Sequence, residues 1–214
     1  HRRTVTKAEY SEESCLSFEA EILSDSVISD TDYKEVCKWL FNESSYKKLT
    51  INSDEYYGVY FNCIFSEAEE ITYGVNNKFG VVGFRFVVNC DAPWGWQPQV
   101  RKISHIGTTK IVVDSDAKDY TYPILNIYVG DVGGDIKIEN IKDANRPVVF
   151  NNLPPNSVIK MSPQFGEVVW DKDENIWENF ISKRFLRLFS GINDISLSGD
   201  IIQIILEYEG AKLI

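Results

Sequence analysis

A chain of 214 residues with 43% hydrophobic and 13% aromatic content has room for one large or two modest domains and enough apolar material to fill real cores. Its 32 acidic against 22 basic side chains leave a formal charge of -10, which repels phosphate backbones, and the basic cluster Arg2-Arg3 stands alone at the N-terminus, so no nucleic-acid partner is expected. No apolar run approaches the ~20 residues needed to span a bilayer and nothing resembles a secretory leader, so no membrane insertion is expected either.

In chain order, Cys15 to Leu23 reads as a strand, and a helix follows that ends at Phe41. Ser29 or Thr31 is placed to cap that helix, acidic residues fill its first turn, and Tyr33, Val36, Cys37 and Leu40 share one face at the i, i+3, i+4, i+7 spacing. After Ser45 the period changes to two: Leu49 and Ile51, then Tyr57, Val59 and Phe61, alternate, with a turn at Asn52-Ser53-Asp54. A second hairpin is expected from Glu69 to Thr72 and Phe84 to Val88, flanking the stretch Gly74 to Gly80.

Pro93, Gly95 and Pro98 interrupt the strand pattern near Trp96, and the polar stretch Gln97 to Thr109 separates it from a region without helical periodicity. Two domains are therefore expected, residues 1–96 and 97–214. In the second, strands are expected at Lys110 to Val113, Tyr122 to Val129, Asp135 to Glu139, Val148 to Phe150, Ser157 to Met161, Glu167 to Trp170, Ile195 to Ser198 and Ile201 to Tyr208. Turns at Gly130 to Gly134 (read as a hairpin turn), Asn151 to Asn156, Asp171 to Asn175 and Ser198 to Asp200 separate them. Short antiparallel strands at this interval make a sandwich or jelly roll.

Catalytic signals are poor. Cys15, Cys37, Cys63 and Cys90 form no C-x-x-C pair and have no neighbouring histidine, so they read as reduced core thiols, with a disulfide between strand neighbours as the alternative. His1 is terminal, and His105 has no metal or nucleophile motif to join, so it reads as a surface or loop histidine. Gly130 to Gly134 lacks the Lys-Ser/Thr ending of a phosphate loop. Asp171-Lys172-Asp173-Glu174-Asn175 begins like a calcium loop, but Ile176 stands where the loop needs glycine. A glycosidase needs only two suitably spaced acids, so sequence leaves Asp91, Asp171 or Glu178 open to that role, although any such pair is a coincidence to be expected among 32 carboxylates. The acidic positions Glu12-Glu13, Glu67 and Glu69-Glu70 read as solvated faces. No catalytic, cofactor or metal residue is assigned. Aromatic side chains carry the better binding signal, because a ring offers a flat apolar face with a polar edge to a sugar or a protein partner. Trp94, Trp96, Trp170, Trp177 and Tyr122 are the candidate interface or glycan contacts, with Tyr120 and Tyr128 nearby in sequence.

The helix Asp32 to Phe41, the run Ser45-Tyr46-Lys47-Lys48-Leu49, the strands around Tyr56 to Phe65, and Phe84 through Asp91-Ala92-Pro93-Trp94 resemble the N-terminal domain of the distal tail proteins of long-tailed, siphovirus-type phages. Tyr122-Pro123-Ile124-Leu125-Asn126-Ile127 resembles the opening strand of that family's second domain, and Phe185 to Asn193 resembles its late turn before the closing strands. The resemblance implies a mainly β protein, an N-terminal β-rich domain with one α-helix followed by a galectin-like antiparallel β-sandwich. It implies a non-enzymatic virion component, made in the bacterial host cytoplasm: a hexameric adaptor ring built through the N-terminal domain, joining the tail tube protein to tail-associated or receptor-binding proteins, with some members also attaching to host-surface saccharide. Members ordinarily carry further strands before the position where this sequence starts, so the N-terminal sheet is expected to lack its first strands. A carbohydrate-binding module and, behind it, a cell-wall glycosidase are the alternatives from other classes.

Overall fold

The computed structural model describes residues 15–42, 45–75, 78–143, 146–170 and 176–213, and these gather into two compact units that part between Gly95 and Trp96. The acidic run Asp171 to Asn175, the terminal His1, Arg2 and Arg3, and the pair Glu12-Glu13 lie outside the described residues. The fold is mainly β and antiparallel, with a single helix among the described residues, as the sequence suggests. That helix is not long and apolar enough to cross a membrane.

The first unit holds β1 (Ser17–Leu23), α1 (Asp30–Phe41), β2 (Lys47–Thr50), β3 (Tyr60–Val75) and β4 (Lys78–Cys90), with strands in the order β1-β4-β3-β2. Ser29, not Thr31, caps α1: its backbone is extended and its Oγ accepts the Asp32 amide at 3.2 Å. Leu40 is buried, and Tyr33, Val36 and Cys37 pack against the same apolar cluster, so the face expected from the spacing is the face that docks. Trp39 falls on the other side and is 68% exposed. The cluster centres on Phe61, Cys63, Phe84, Phe86, Val88 and Cys90, with Phe65 meeting Phe86 edge-on at 5.2 Å. Glu70 of β3 is hydrogen-bonded to the Tyr33 phenol of α1, which pushes that phenol up to about 12, so Glu70 does more than solvate a face.

Two expectations here need correction. The separate strands expected around Phe61 and at Glu69 to Thr72 are one strand, β3, broken in pattern by a bulge between Ser66 and Glu69 where Glu67 takes φ 54. One extra residue shifts the inward alternation by one position, which is why a period-two pattern does not continue across it. Tyr57, counted into that pattern, lies in the turn before β3 and is 85% exposed.

The second unit holds β5 (Gly95–Ile103), β6 (Gly107–Val113), β7 (Ile124–Val129), β8 (Gly134–Asn140), β9 (Val148–Leu153), β10 (Val158–Ser162), β11 (Glu167–Trp170), β12 (Gly191–Ser198) and β13 (Ile201–Lys212). They form two sheets, β5-β13-β7-β10-β11 and β6-β12-β8-β9. Ile127, Ile159, Ile204 and Leu206 of the first sheet and Ile138, Val148, Phe150 and Ile195 of the second are at most 0% exposed and share one core, so the two sheets are the layers of a sandwich. The stretch Gln97 to Thr109, expected to be a polar joint, contains β5 and the start of β6. Along β5 only Gly95, Gln99 and Ile103 are fully buried, so few apolar residues mark it in sequence. Pro123 precedes the start of β7 at Ile124, while β12 begins at Gly191, before its expected start, and β13 runs to Lys212, beyond its expected end.

The segment Gly130 to Gly134 is not a hairpin turn, because β7 and β8 lie in different sheets and do not pair. It is a crossover between layers, as are the links β9 to β10 and β12 to β13. The three are tied together at one end of the sandwich. Asp200 Oδ2 accepts the amides of Val132 and Gly133, each at 2.8 Å, the Asp200 carbonyl accepts the Gly130 amide at 2.9 Å, and the Gly130 carbonyl accepts the Asn156 amide at 2.7 Å. Gly133, at φ 71, lies so close to the Leu153 carbonyl that a side chain has no room. Asp200→Ala removes a charged acceptor from two amides and is expected to cost about 2–3 kcal/mol, read as a lowered midpoint in urea unfolding. An unchanged midpoint would show that water replaces the carboxylate.

Candidate functional site

The loop from Phe185 to Ser190 is held to the sandwich by side chains that are themselves buried. Asn193 is 0% and Asn140 1% exposed. Asn193 Oδ1 accepts from the Phe189 amide at 2.9 Å and from Asn140 Nδ2 at 2.8 Å, while its Nδ2 donates to the carbonyls of Phe189 at 2.6 Å and Gly191 at 3.0 Å. Asn140 Nδ2 donates also to the Arg187 carbonyl at 2.8 Å. A buried amide costs stability unless each donor and acceptor is matched, and here the two side chains match each other and the loop backbone. Gly191-Ile192-Asn193, which the resemblance placed in a late turn, is instead the start of β12, and Asn193 there latches the loop.

The latch presents an aromatic and cationic surface. Arg187 donates from Nε to Asp143 Oδ2 at 2.8 Å and from its terminal nitrogen to Asp143 Oδ1, a two-pronged pair that holds the guanidinium firmly charged. The same guanidinium lies 4.4 Å from the centre of the Tyr120 ring, and Tyr120 meets Tyr122 edge-on at 5.2 Å and Phe189 at 6.1 Å. Hydrogen bonds from Tyr122 and Arg187 lower the Tyr120 phenol, while burial and the bond to Tyr120 raise that of Tyr122. Lys142 Nζ stands 5.7 Å from the Phe189 ring and donates to the Ser190 carbonyl at 2.9 Å.

The five aromatic candidates do not converge. Tyr122 is half-buried in the surface just described, beside Tyr120. Trp177, 38% exposed, packs edge-on against Phe180 at 5.4 Å with Lys183 Nζ 4.7 Å from its ring, in a different cluster that includes Phe150 and Phe185. Trp170 is partly buried against the sandwich core. Trp94 and Trp96 are half-buried, the first in the turn after β4 and the second in β5. Tyr128 is half-buried in β7. Arg187, Asp143, Lys142 and Phe189 were not singled out by sequence; the alternation of Arg187 and Phe189 around buried Leu188 is the signal that points two of them to one side.

Among the described residues no group of three or more His, Cys, Asp or Glu side chains is placed to hold a metal ion. His105 Nε2 is 2.8 Å from Thr109 Oγ1 at the surface. Asp91 is exposed in the first unit, where its Oδ2 accepts from Asn62 Nδ2 at 3.0 Å, and Glu178 is exposed in the second. A shallow groove between α1, β2 and β3 is lined by Trp39, Leu40, Leu49, Phe65 and Lys48, and no carboxylate lines it among the described residues. Asn193→Ala takes one acceptor from the Asn140 amide and leaves three backbone groups, the Phe189 amide and the Phe189 and Gly191 carbonyls, without this partner, and is expected to cost at least about 3 kcal/mol in urea unfolding. Near-wild-type stability would mean that the other ties of the loop, the Leu188 backbone to Thr121 and Arg187 to Asp143, suffice to hold it.

Residues 1–92 match the phage tail protein N-terminal domain family and residues 94–208 match the phage tail C-terminal domain family. No curated protein sequence matches this chain. Among solved structures, the Dit protein of phage SPP1, described as a paradigm of the hub adsorption apparatus in phages infecting Gram-positive bacteria, is similar over 93% of this chain and 79% of its own, with a TM-score of 0.68 and 8% identity. The baseplate of phage P2 in its activated conformation with calcium is similar over 91% of this chain and 78% of the matched chain, with a TM-score of 0.48 and 9% identity. At such identity the SPP1 likeness is one of fold, a Dit-like arrangement of mainly antiparallel strands. With both of its parts matched to phage tail domains, this chain belongs to the phage tail protein family.

Proposed function

We propose that this chain is a non-enzymatic adaptor of the tail tip, a hub subunit that assembles as a six-membered ring and joins the tail tube protein to tail-associated or receptor-binding proteins. The observation that carries it is the extent of the Dit-like fold, which covers 93% of this chain in a protein matched along both parts to phage tail domains. Residues 1–96 are the ring-forming part in this proposal and residues 97–214 the galectin-like β-sandwich. The protein is made in the host cytoplasm and ends in the virion tail.

Charge on the first unit suits a ring. A ring uses heterologous contacts, in which one surface of a subunit meets a different surface of the next. The outer strands of the described N-terminal sheet differ in sign: β1 exposes Glu19 and Glu21, and β2 exposes Lys47 and Lys48. In a chain of charge -10 such a pairing of unlike strands favours one mode of association over like-to-like contact. Light scattering across a concentration series is expected to show six times the 24.5 kDa chain mass, weakened in a Lys47→Glu, Lys48→Glu double variant. A strict monomer at every concentration and salt would reject ring formation by this chain.

A second role, contact with a host-surface saccharide, is favoured by one observation: Tyr120 and Tyr122 stand together beside Arg187 on the sandwich, an apolar face next to fixed hydrogen-bond donors. Binding in a glycan screen that is lost in Tyr120→Ala supports it; a screen without binders rejects it and leaves the adaptor role intact.

A further inference from the structure

We propose that Cys63 and Cys90 form a cross-strand disulfide site, closed by exchange with a small-molecule disulfide and stapling the base of the β3–β4 hairpin. The two residues are directly opposite each other in the antiparallel ladder, and both are free thiols in this structure. Their exposures are 1% and 2%, and both lie in one apolar cluster.

The hydrogen bonds show which kind of opposition this is. The Cys90 amide donates to the Leu16 carbonyl on the β1 side, at 2.9 Å, so it turns away from β3. The next amide, of Asp91, donates to the Asn62 carbonyl on β3, also at 2.9 Å. Cys63 and Cys90 therefore face each other at a position where the two residues do not hydrogen-bond each other. Such positions bring α-carbons to about 4.5 Å and side chains to their closest approach in an antiparallel pair. That separation lies within the about 4.4–6.8 Å that a disulfide spans, so the bond closes without parting the strands.

The chemistry balances as two exchanges. One cysteine thiolate attacks a sulfur of the small disulfide, breaking its S–S bond, expelling one small thiolate and leaving a mixed disulfide on the protein. The second cysteine thiolate attacks the protein-borne sulfur, forms the Cys63–Cys90 bond and expels the second small thiolate. Two electrons pass from the protein to the small disulfide, and the two protons released by the cysteines are taken up by the departing thiolates.

Burial sets the rate. It raises both thiols, with nearby Asp91 adding to the effect, and Cys90 is pushed up to about 12. At neutral pH both stay protonated, so the pair persists as thiols until the hairpin opens transiently or the pH rises. The site is independent of ring formation.

The test uses the full chain carrying Cys15→Ser and Cys37→Ser, which leaves only this pair, treated with excess oxidised glutathione. The expected product is a chain not cross-linked to another and lighter by two hydrogens, with the thiol count under denaturing conditions falling from two to none. Its thermal midpoint rises and returns on reduction, and closure accelerates about tenfold per pH unit below the thiol pKa. Retention of both thiols, a stable glutathione adduct, or an intermolecular dimer would overturn the proposal. Peptide mapping of the oxidised wild-type chain decides the matter if the double variant does not fold: a Cys63–Cys90 link supports the site, and a link through Cys15 or Cys37 in its place refutes it.

Discussion

A two-layer β unit must carry its chain repeatedly from one sheet to the other, and each passage exposes backbone amides that no strand can satisfy. The C-terminal unit gathers three such passages at one end and lets them satisfy one another. Asp200 takes two amides of the β7–β8 link on its side chain and a third on its carbonyl, while the β9–β10 link bonds back to Gly130. With those links fixed, β7 and β13 are placed side by side in one layer and β8 and β12 in the other. Residues such as Ile127, Ile138 and Ile195 then meet in one core, and hydrophobic burial follows from the placement.

The buried amides Asn140 and Asn193 apply the same rule to a loop whose backbone otherwise pairs with other backbone only at the Leu188 bridge to Thr121, among the described residues. They convert the stretch Phe185 to Ser190 into a rigid carrier for Arg187 and Phe189, whose rings and charges meet Tyr120 and Tyr122 at the surface. Every strong polar group there is engaged with another part of the protein, Arg187 with Asp143 and Lys142 with the Ser190 carbonyl. That is the organisation of a surface made to keep its shape, and it suits a component of a tail assembly, in which fixed contact geometry matters more than reactive groups.

The N-terminal unit solves a smaller problem with less material. Its sheet has one helix to cover it, and the docked face of α1 meets aromatic residues at Phe61, Phe84 and Phe86. The bulge at Glu67 breaks the alternation of β3 while the strand stays within the sheet, since β4 opposite it is still paired with β1 and Glu70 beyond it still reaches Tyr33 of α1. Cys63 and Cys90 lie at the base of the β3–β4 hairpin, inside the core, where opposing thiols are shielded from solvent.

Local order was legible from the residues alone. Helix α1 and its docking face followed from the spacing of Tyr33, Val36, Cys37 and Leu40, and most C-terminal strands followed from short apolar runs between turn residues, because these depend on neighbours a few positions away. The mainly β class and the kinship with phage tail proteins rested on the same order of elements. What tertiary structure decided were relations between distant segments. A strand that buries only scattered residues, like β5, has no local signature; a bulge such as that at Glu67 breaks the period that would reveal its strand; and the link Gly130 to Gly134 has the composition of a hairpin turn whichever sheet its flanking strands join. The pairing of Asn140 with Asn193, of Asp143 with Arg187 and of Cys63 with Cys90 likewise waited on the fold: sheet register sets the first and the last, and it is fixed by how whole strands pack and not by the residues that meet.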